Sequence, residues 1–196
     1  MSLILASSSP HRKAILESAG VPFIAEAADI DEREAEKPLL ETGAEPGDIA
    51  EVLATAKALG VSARNPDALI LGCDQTLSLD GVLMHKSPDM EDARKKLLVL
   101  RGKTHQLHSA FVLVRTGQVL HSQISVADMT MRDLTPAYIG QYLAACGPDI
   151  LGSVGCYQIE GRGIQLFEHI VGDHYTIIGL PLLPLLAKLR HEGLME

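Results

Sequence analysis

Residues 4 to 20 read Ile-Leu-Ala-Ser-Ser-Ser-Pro-His-Arg-Lys-Ala-Ile-Leu-Glu-Ser-Ala-Gly. The apolar run Leu3-Ile4-Leu5 stops at serines, and Pro10 follows them. Proline suits the first turn of a helix, where its missing N–H would have no intrahelical acceptor anyway, and Ser9 stands where an N-cap hydroxyl is wanted. The stretch therefore predicts a strand, a polar turn and a helix N-terminus. Such a terminus offers unpaired backbone N–H groups and a partial positive charge, which suits a phosphate. Arg12 lies in the first turn and opposes the helix dipole, so it fits an anion nearby. The same residues fit an ordinary capped helix carrying surface bases equally well.

Outward from this stretch, strand and helix patterns interleave. Val21 to Ala25 reads as a short strand, and residues 29–47, polar and punctuated by Gly and Pro, read as a loop. Residues 48–59 read as a helix with Ile49, Leu53 and Ala56 on one face. Ala68 to Gly72 is a compact strand that ends at Cys73-Asp74, and Asp80-Gly81 between Leu77, Leu79 and Val82, Leu83 is a two-residue hairpin turn. Ser87-Pro88-Asp89 opens a helix to about Leu100. His105 to Arg115 and Gln118 to Met131 are two long strands joined at Thr116-Gly117, and Thr135-Pro136 opens a helix through Cys146. Glycines punctuate 152–163, a strand follows near Ile164 to Ile170, and a helix after Pro181 closes the chain. Interleaved elements with tight hairpins predict an α/β class with a mixed sheet.

Composition bounds the function. The 196 residues suffice for one domain or two small lobes, and 46% apolar residues without tryptophan give a mostly aliphatic core. A net charge of -8 argues against broad nucleic-acid binding, which needs a basic face, but leaves room for a local basic pocket around a small anion. Cys73, Cys146 and Cys156 have no metal spacing and cannot all pair, so reduced thiols and a cytoplasmic protein are expected. No signal-peptide pattern opens the chain, and no apolar run reaches the length of a membrane span, so no membrane partner is expected.

Several side chains suggest chemistry. Asp74 follows the apolar run Leu69-Ile70-Leu71, at the strand end where open α/β sheets place ligand sites, or else it simply starts a turn. Lys86 lies between the hairpin and the next helix, and Lys57 lies mid-helix beside an apolar face, either snorkelling or reaching a cleft. Asp29, Asp31 and Glu32 are either solvated charge or a hard-cation site, since Mg²⁺ favours a few carboxylates with water and phosphate oxygens. No zinc spacing, P-loop or nucleophile elbow is present.

Taken in order, the motifs are more specific. Leu-Ala-Ser-x-Ser-Pro-x-Arg at 5–12, Asp-Ile-Asp-Glu at 29–32, Leu-Ala-x-x-Lys-Ala at 53–58 and Gly-x-Asp at 72–74 come first. Lys-Ser-Pro at 86–88, Leu-x-Gly-Lys-x-His at 100–105, Gly-x-x-Gly-x-Tyr at 152–157 and Ile-Gly-Leu-Pro-Leu at 178–182 follow. This series resembles the Maf-like (septum-formation) family of nucleoside triphosphate pyrophosphatases over essentially the whole chain. The resemblance implies a single Maf-like domain over residues 1–196, with the Maf/inosine-triphosphatase-like α/β fold: an elongated mixed sheet and two lobes around a central cleft, in a homodimer. It implies hydrolysis of the α–β phosphoanhydride of a nucleoside triphosphate to a monophosphate and diphosphate. In that reading Asp74 is the base and stays ionised beside its cations. Glu32 and Asp74 contact Mg²⁺ or Mn²⁺, and Ser7, Arg12, Lys57 and Lys86 hold phosphates.

Base selection in the family is associated with three further places, which here hold His11, Gln75 and Glu160. The pairs Asp74-Gln75 and Glu160-Gly161 resemble the branch acting on 7-methyl-GTP. A carboxylate accepts both N–H donors on the Watson–Crick edge of guanine and attracts the cationic methylated base. His11 stands where that branch carries tryptophan and offers less stacking area. The resemblance therefore leaves open a canonical dTTP, UTP or CTP pyrophosphatase, and a non-catalytic nucleotide-binding regulator of septum formation.

Overall fold

In the computed structural model, which describes residues 2–196, β1 (Leu3–Ala6) turns into α1 (Pro10–Ser18). Ser9 caps α1, its hydroxyl accepting from the Arg12 amide, and Pro10 occupies the first turn. The predicted second strand shrinks to β2 (Ile24–Ala25). The predicted loop at 29–47 is instead interrupted by a helix, α2 (Glu32–Glu41). Asp31 caps it, accepting from the amides of Arg33 and Glu34 at 3.0 and 3.1 Å, and Glu32 and Glu34 complement the dipole of its first turn. Two features hide this helix in the sequence: Pro38 lies inside it, and Glu36 is its one buried residue, so no apolar stripe marks it.

The remaining elements are α3 (Pro46–Ser62), β3 (Leu69–Leu79), β4 (Val82–Met84), α4 (Met90–Leu100), β5 (Thr104–Arg115), β6 (Gln118–Met131) and α5 (Pro136–Cys146). Two 3₁₀ turns, Gly147–Gly152 and Arg162–Leu166, precede β7 (Phe167–Val171), α6 (His174–Ile178) and α7 (Leu182–His191). The last strand thus starts at Phe167, later than the expected Ile164. No helix among the described residues is long and apolar enough to cross a membrane.

The sheet is mixed, in the order β2-β1-β3-β5-β6-β7, with β4 also on β3. β1 lies parallel to β2 and β3, and the other pairs are antiparallel. β3 does not stop at Asp74: it runs eleven residues, and β5 pairs with it from Ile70↔Val114 to Ser78↔Gln106. Its polar members are partnered and, apart from half-buried Gln75, buried, with Thr76 Oγ1 donating to the Pro46 carbonyl at 2.8 Å and Ser78 Oγ 3.0 Å from His108 Nε2. On the opposite edge, β1 covers β3 only up to Ala6↔Gly72, and β4 covers it only from Leu77. Cys73 to Thr76 is therefore an uncovered window in that edge. The strand that ends beside Asp74 is β1, not β3.

Alternation along β3 sorts the core. Leu69, Leu71 and Cys73 pack with α1 and α7 on one face, and Ile70 packs with Ala50, Ala54, Ala58 and Val61 of α3 on the other. In α3, Ile49 and Leu53 are buried as expected, whereas Ala56 is half-buried. A third cluster, with Leu77, Leu97, Leu107, Met129, Ile139 and Tyr157, fills the far end of the sheet beneath α4 and α5. Of the long hairpin, Ala110 to Val114 is core, while Val119, Leu120 and Val126 are exposed.

His105 sits inside the third cluster with no exposed surface, a ring nitrogen 2.7 Å from the Tyr157 hydroxyl. Burial pushes its pKa down from 6.5 to about 4. The unfolded chain therefore binds this proton first. The contribution of neutral His105 is complete above pH 6.5 and is lost as pH falls towards 4. About 3 kcal/mol is at stake across that window. The stability gap between the natural protein and His105→Phe should shrink by about that amount between pH 7 and pH 4. Urea unfolding of both proteins across this range checks it, and a constant gap would count against it.

Candidate active site

The uncovered window of β3 opens on a cleft of about 840 Å³, lined by Ser7, His11, Arg12, Glu32, Lys57, Asp74, Gln75 and Lys86 among others. A smaller pocket of about 30 Å³ adjoins it, sharing His11 and Gln75 and adding Tyr157 and Glu160. The residues that the family resemblance singled out therefore line these two adjoining pockets, although Ser7 and Glu160 are far apart in the chain, whereas Asp29 and Asp31 line neither.

Asp74 points to the same face of β3 as Ile70 and Gly72, towards α3. The small residues of α3 let that helix lie close, so Lys57 is buried and its ammonium reaches the carboxylate. Lys57 Nζ stands 2.5 Å from Asp74 Oδ1 and 2.7 Å from Glu32 Oε1. Burial pushes the Asp74 pKa above the ordinary aspartate value, against the pull of Lys57 and Arg12. Burial also acts on Glu32, but the hydrogen bond and charge of Lys57, with help from Lys86 and Arg12, outweigh it and leave its pKa lowered. The two carboxylates that share one ammonium are thus biased in opposite directions.

Arg12 is more anchored than a free phosphate ligand. Its Nε donates to the Gly179 carbonyl at 2.9 Å, and Nη1 donates to the Cys73 carbonyl at 3.0 Å and to Ser7 Oγ at 3.4 Å. The Cys73 carbonyl belongs to the uncovered edge of β3, so Arg12 satisfies a backbone acceptor that a neighbouring strand would otherwise take. Nη2 alone has no hydrogen-bond partner among the described residues. Ser7 Oγ also accepts from the Ser9 amide at 3.2 Å, which leaves its proton to donate. Lys86 is exposed at the rim and unpaired among the described residues.

At the other end, His11 Nδ1 lies 3.1 Å from Glu160 Oε1, so two positions expected to select the base touch each other. Gln75 Nε2 donates to Ser109 Oγ at 2.9 Å and to the carbonyls of Thr176 and Ile177 at 3.1 and 3.0 Å. Carbonyls only accept, so the amide nitrogen must face them and Gln75 Oε1 is left as the unpaired acceptor. Gln75 thus ties β3 to α6 as well as lining the cavity.

Sequence reasoning missed Glu36. It lies one helical turn after Glu32 on α2, is buried in the cleft wall, and approaches His85 Nδ1 at 3.7 Å. Burial raises its pKa, and the charges of Asp74 and Glu32 add to that. The i,i+4 relation is invisible while the segment is read as a loop; the available signal is Asp31 followed three residues later by Glu34, an N-terminal capping pattern. Asp31 is spent on that cap, and Asp29 is exposed.

Oxygen donors define what the site could hold. Lys57 takes one oxygen from each of Glu32 and Asp74, and the other oxygen of each has no hydrogen-bond partner among the described residues. No group of three or more His, Cys, Asp or Glu side chains among the described residues is arranged to enclose a metal. Two hard carboxylates nevertheless fit Mg²⁺ or Mn²⁺, which keep water and take phosphate oxygens for the rest of their shell. With Arg12, Lys57 and Lys86 alongside, the cleft combines a buried carboxylate with cations, a set suited to a polyphosphate.

Comparison with known proteins agrees with this chemistry. The family model described as Maf-like protein matches residues 2–192. The chain is 59% identical over 194 residues to a protein of Mesorhizobium japonicum named 7-methyl-GTP pyrophosphatase, covering 99% of this chain and 98% of that one. It is 57% identical over 194 residues, with the same coverage, to a protein of that name in Brucella abortus. Among solved structures, a nucleoside-triphosphatase, dITP/XTP pyrophosphatase, of Mycobacterium abscessus is similar at a TM-score of 0.43 and 20% identity, over 76% of this chain and 98% of that one. That likeness is too distant to bear on function. With nearly its full length matched to the family model and more than half its residues shared with full-length relatives, this chain belongs to the Maf-like protein family.

Proposed function

We propose that the protein is a house-cleaning nucleoside triphosphate pyrophosphatase acting on 7-methyl-GTP, releasing 7-methyl-GMP and diphosphate. The observation that carries this reading is the buried Asp74 carboxylate, bridged to Glu32 through Lys57 in one cleft with Ser7, Arg12 and Lys86. Water attacks the α-phosphorus. Asp74 takes a proton from it as the bond between that phosphorus and the bridging oxygen breaks, and the electron pair leaves with diphosphate. A carboxylate whose pKa burial raises accepts that proton more readily near neutral pH than an exposed one.

Arg12 Nη2, the Ser7 hydroxyl, Lys57 and Lys86 are the donors available to phosphate oxygens. They offset charge that collects on the leaving diphosphate. Glu32 and Asp74 would hold a divalent cation, which supplies further charge neutralisation on the triphosphate. Lys57 has a second role, since it keeps two neighbouring carboxylates from repelling each other.

Glu160 supports the choice of base. With one oxygen on His11, its carboxylate remains able to accept from N1–H and N2–H of guanine, and its charge favours the cationic methylated ring. His11, placed at that carboxylate, holds its orientation where a larger ring would stack. Release of diphosphate from 7-methyl-GTP, GTP, UTP, CTP and dTTP with Mg²⁺ or Mn²⁺ tests the reading. Highest kcat/KM for 7-methyl-GTP is expected. A charged hydrogen bond is worth about 1.5–3 kcal/mol, so Glu160→Gln should cut the preference for 7-methyl-GTP over UTP by about ten- to a hundredfold. Unchanged ratios would remove Glu160 from base selection, and binding without turnover of any nucleotide would favour a regulator.

A further inference from the structure

Lys96 of α4 is a buried lysine that forms no close ion pair among the described residues, the charge of Asp92 acting on it only at longer range. Its ammonium donates to the His85 carbonyl and, at 3.0 Å, to the Val154 carbonyl. Burial lowers its pKa, as desolvation of an ammonium must. An apolar side chain of the same length would pack the cluster between α4 and the sheet without that penalty, so the ammonium's contribution lies in its two acceptors.

Those acceptors belong to two chain segments that both line the cleft. His85 lies beside Lys86 at the phosphate end of the cleft. Val154 belongs to the segment 153–160, which carries Ser153, Tyr157 and Glu160 into the smaller pocket. A second contact joins the same two segments, Cys156 Sγ donating to Ser87 Oγ at 3.3 Å. The base-side segment is tightly wound there: Cys156 has a φ of 58°, and a Cβ on Gly155 would meet the Tyr157 ring at 2.3 Å. Such a turn persists only where its surroundings hold it.

We propose that Lys96 is a positioning residue for nucleotide recognition: it ties the base-side segment 153–160 to the phosphate-side segment 85–87 and so sets the span over which both ends of a nucleoside triphosphate are gripped. Lys96 touches no substrate atom itself. The proposal rests on the nucleotide pyrophosphatase reading. It predicts that the loss of this ammonium shows in affinity and discrimination more than in the chemical step, because Asp74 and Lys57 stand on β3 and α3, which carry neither end of the tie.

Lys96→Met keeps the length of the stem and removes the donors. Its KM for 7-methyl-GTP should rise about tenfold or more, with kcat falling less than threefold, and the 7-methyl-GTP to UTP ratio of kcat/KM should move towards one. Lys96→Arg, which keeps a cation and its donors, should recover part of that ratio. A Lys96→Met protein that melts at a lower temperature but keeps its KM and ratio when assayed folded would overturn the proposal, leaving Lys96 merely structural. If Lys96→Met fails to fold, Ser87→Ala removes the second tie and should move KM and ratio in the same direction; no change there would equally overturn it. A natural enzyme that discriminates among nucleotides while Lys96→Met discriminates identically defeats the tie alone. A natural protein that turns over no nucleotide defeats the pyrophosphatase reading and the tie with it.

Discussion

Asp74→Asn is expected to lower kcat by about a hundred- to ten-thousandfold, the range over which a positioned general base contributes. The substitution keeps the volume and an acceptor oxygen for Lys57 but can no longer take a proton. Lys57 retains its contact with Glu32 at 2.7 Å, so removal of the Asp74 charge does not leave a buried ammonium unpaired. The variant should therefore melt cooperatively at close to the natural temperature while diphosphate release at saturating nucleotide collapses. Binding of the nucleotide should survive better than turnover, since Ser7, Arg12 and Lys86 are untouched. Near-normal kcat in a folded Asp74→Asn protein would transfer the base role elsewhere, with Glu36, whose pKa burial also raises, the next carboxylate to examine.

Gly72→Ala should be strongly damaging to both fold and site. Its Cβ would fall 2.1 Å from the Ala54 carbonyl oxygen, 2.8 Å from Ala58 Cβ and 3.0 Å from the Ala58 amide nitrogen. Two of these are backbone atoms of α3, which cannot swing aside as a side chain can, so the helix must lift from the sheet. Overpacking of this kind costs about 1–3 kcal/mol and sometimes more. At about 3 kcal/mol the midpoint of thermal unfolding would drop by about 6–12 °C for a chain of this size. Lys57 lies between Ala54 and Ala58 on the same helix, so the shift also draws its ammonium from Asp74. Activity per folded molecule should fall with stability, which calorimetry and initial rates on one sample measure together. A variant with unchanged melting temperature and rate would show that α3 accommodates the methyl group and that the close approach is not needed.

The close approach explains why parts of the site were legible and others not. Ser9, Pro10 and the Asp80-Gly81 and Thr116-Gly117 turns act over three or four residues, and their backbone angles follow: Asp80, Gly81, Thr116 and Gly117 have φ of 53°, 78°, 49° and 74°. The strand and helix starts near them could be placed from chain order alone. α2 could not, because Pro38 and a polar face conceal a helix whose buried residue is a glutamate. Its contribution, Glu32 and Glu36 one turn apart, only matters when α3 brings Lys57 beneath it. Asp74 was recognisable as a strand-end carboxylate two residues after Gly72, but its surroundings depend on where β1 and β4 stop along the edge of β3.

By itself the sequence determined most local states of the chain, α2 and the length of β3 excepted, and marked candidate residues for the chemistry, since caps, turns and alternation depend on near neighbours. Tertiary structure decided what those residues do to one another. His11 meets Glu160, Arg12 meets the Cys73 and Gly179 carbonyls, and Lys57 meets both Glu32 and Asp74, through strand register and helix approach. Those contacts link residues far apart in the chain. Their distances are set by how close α3 can come to a glycine and by which stretch of a strand edge is left uncovered, and no local periodicity encodes either.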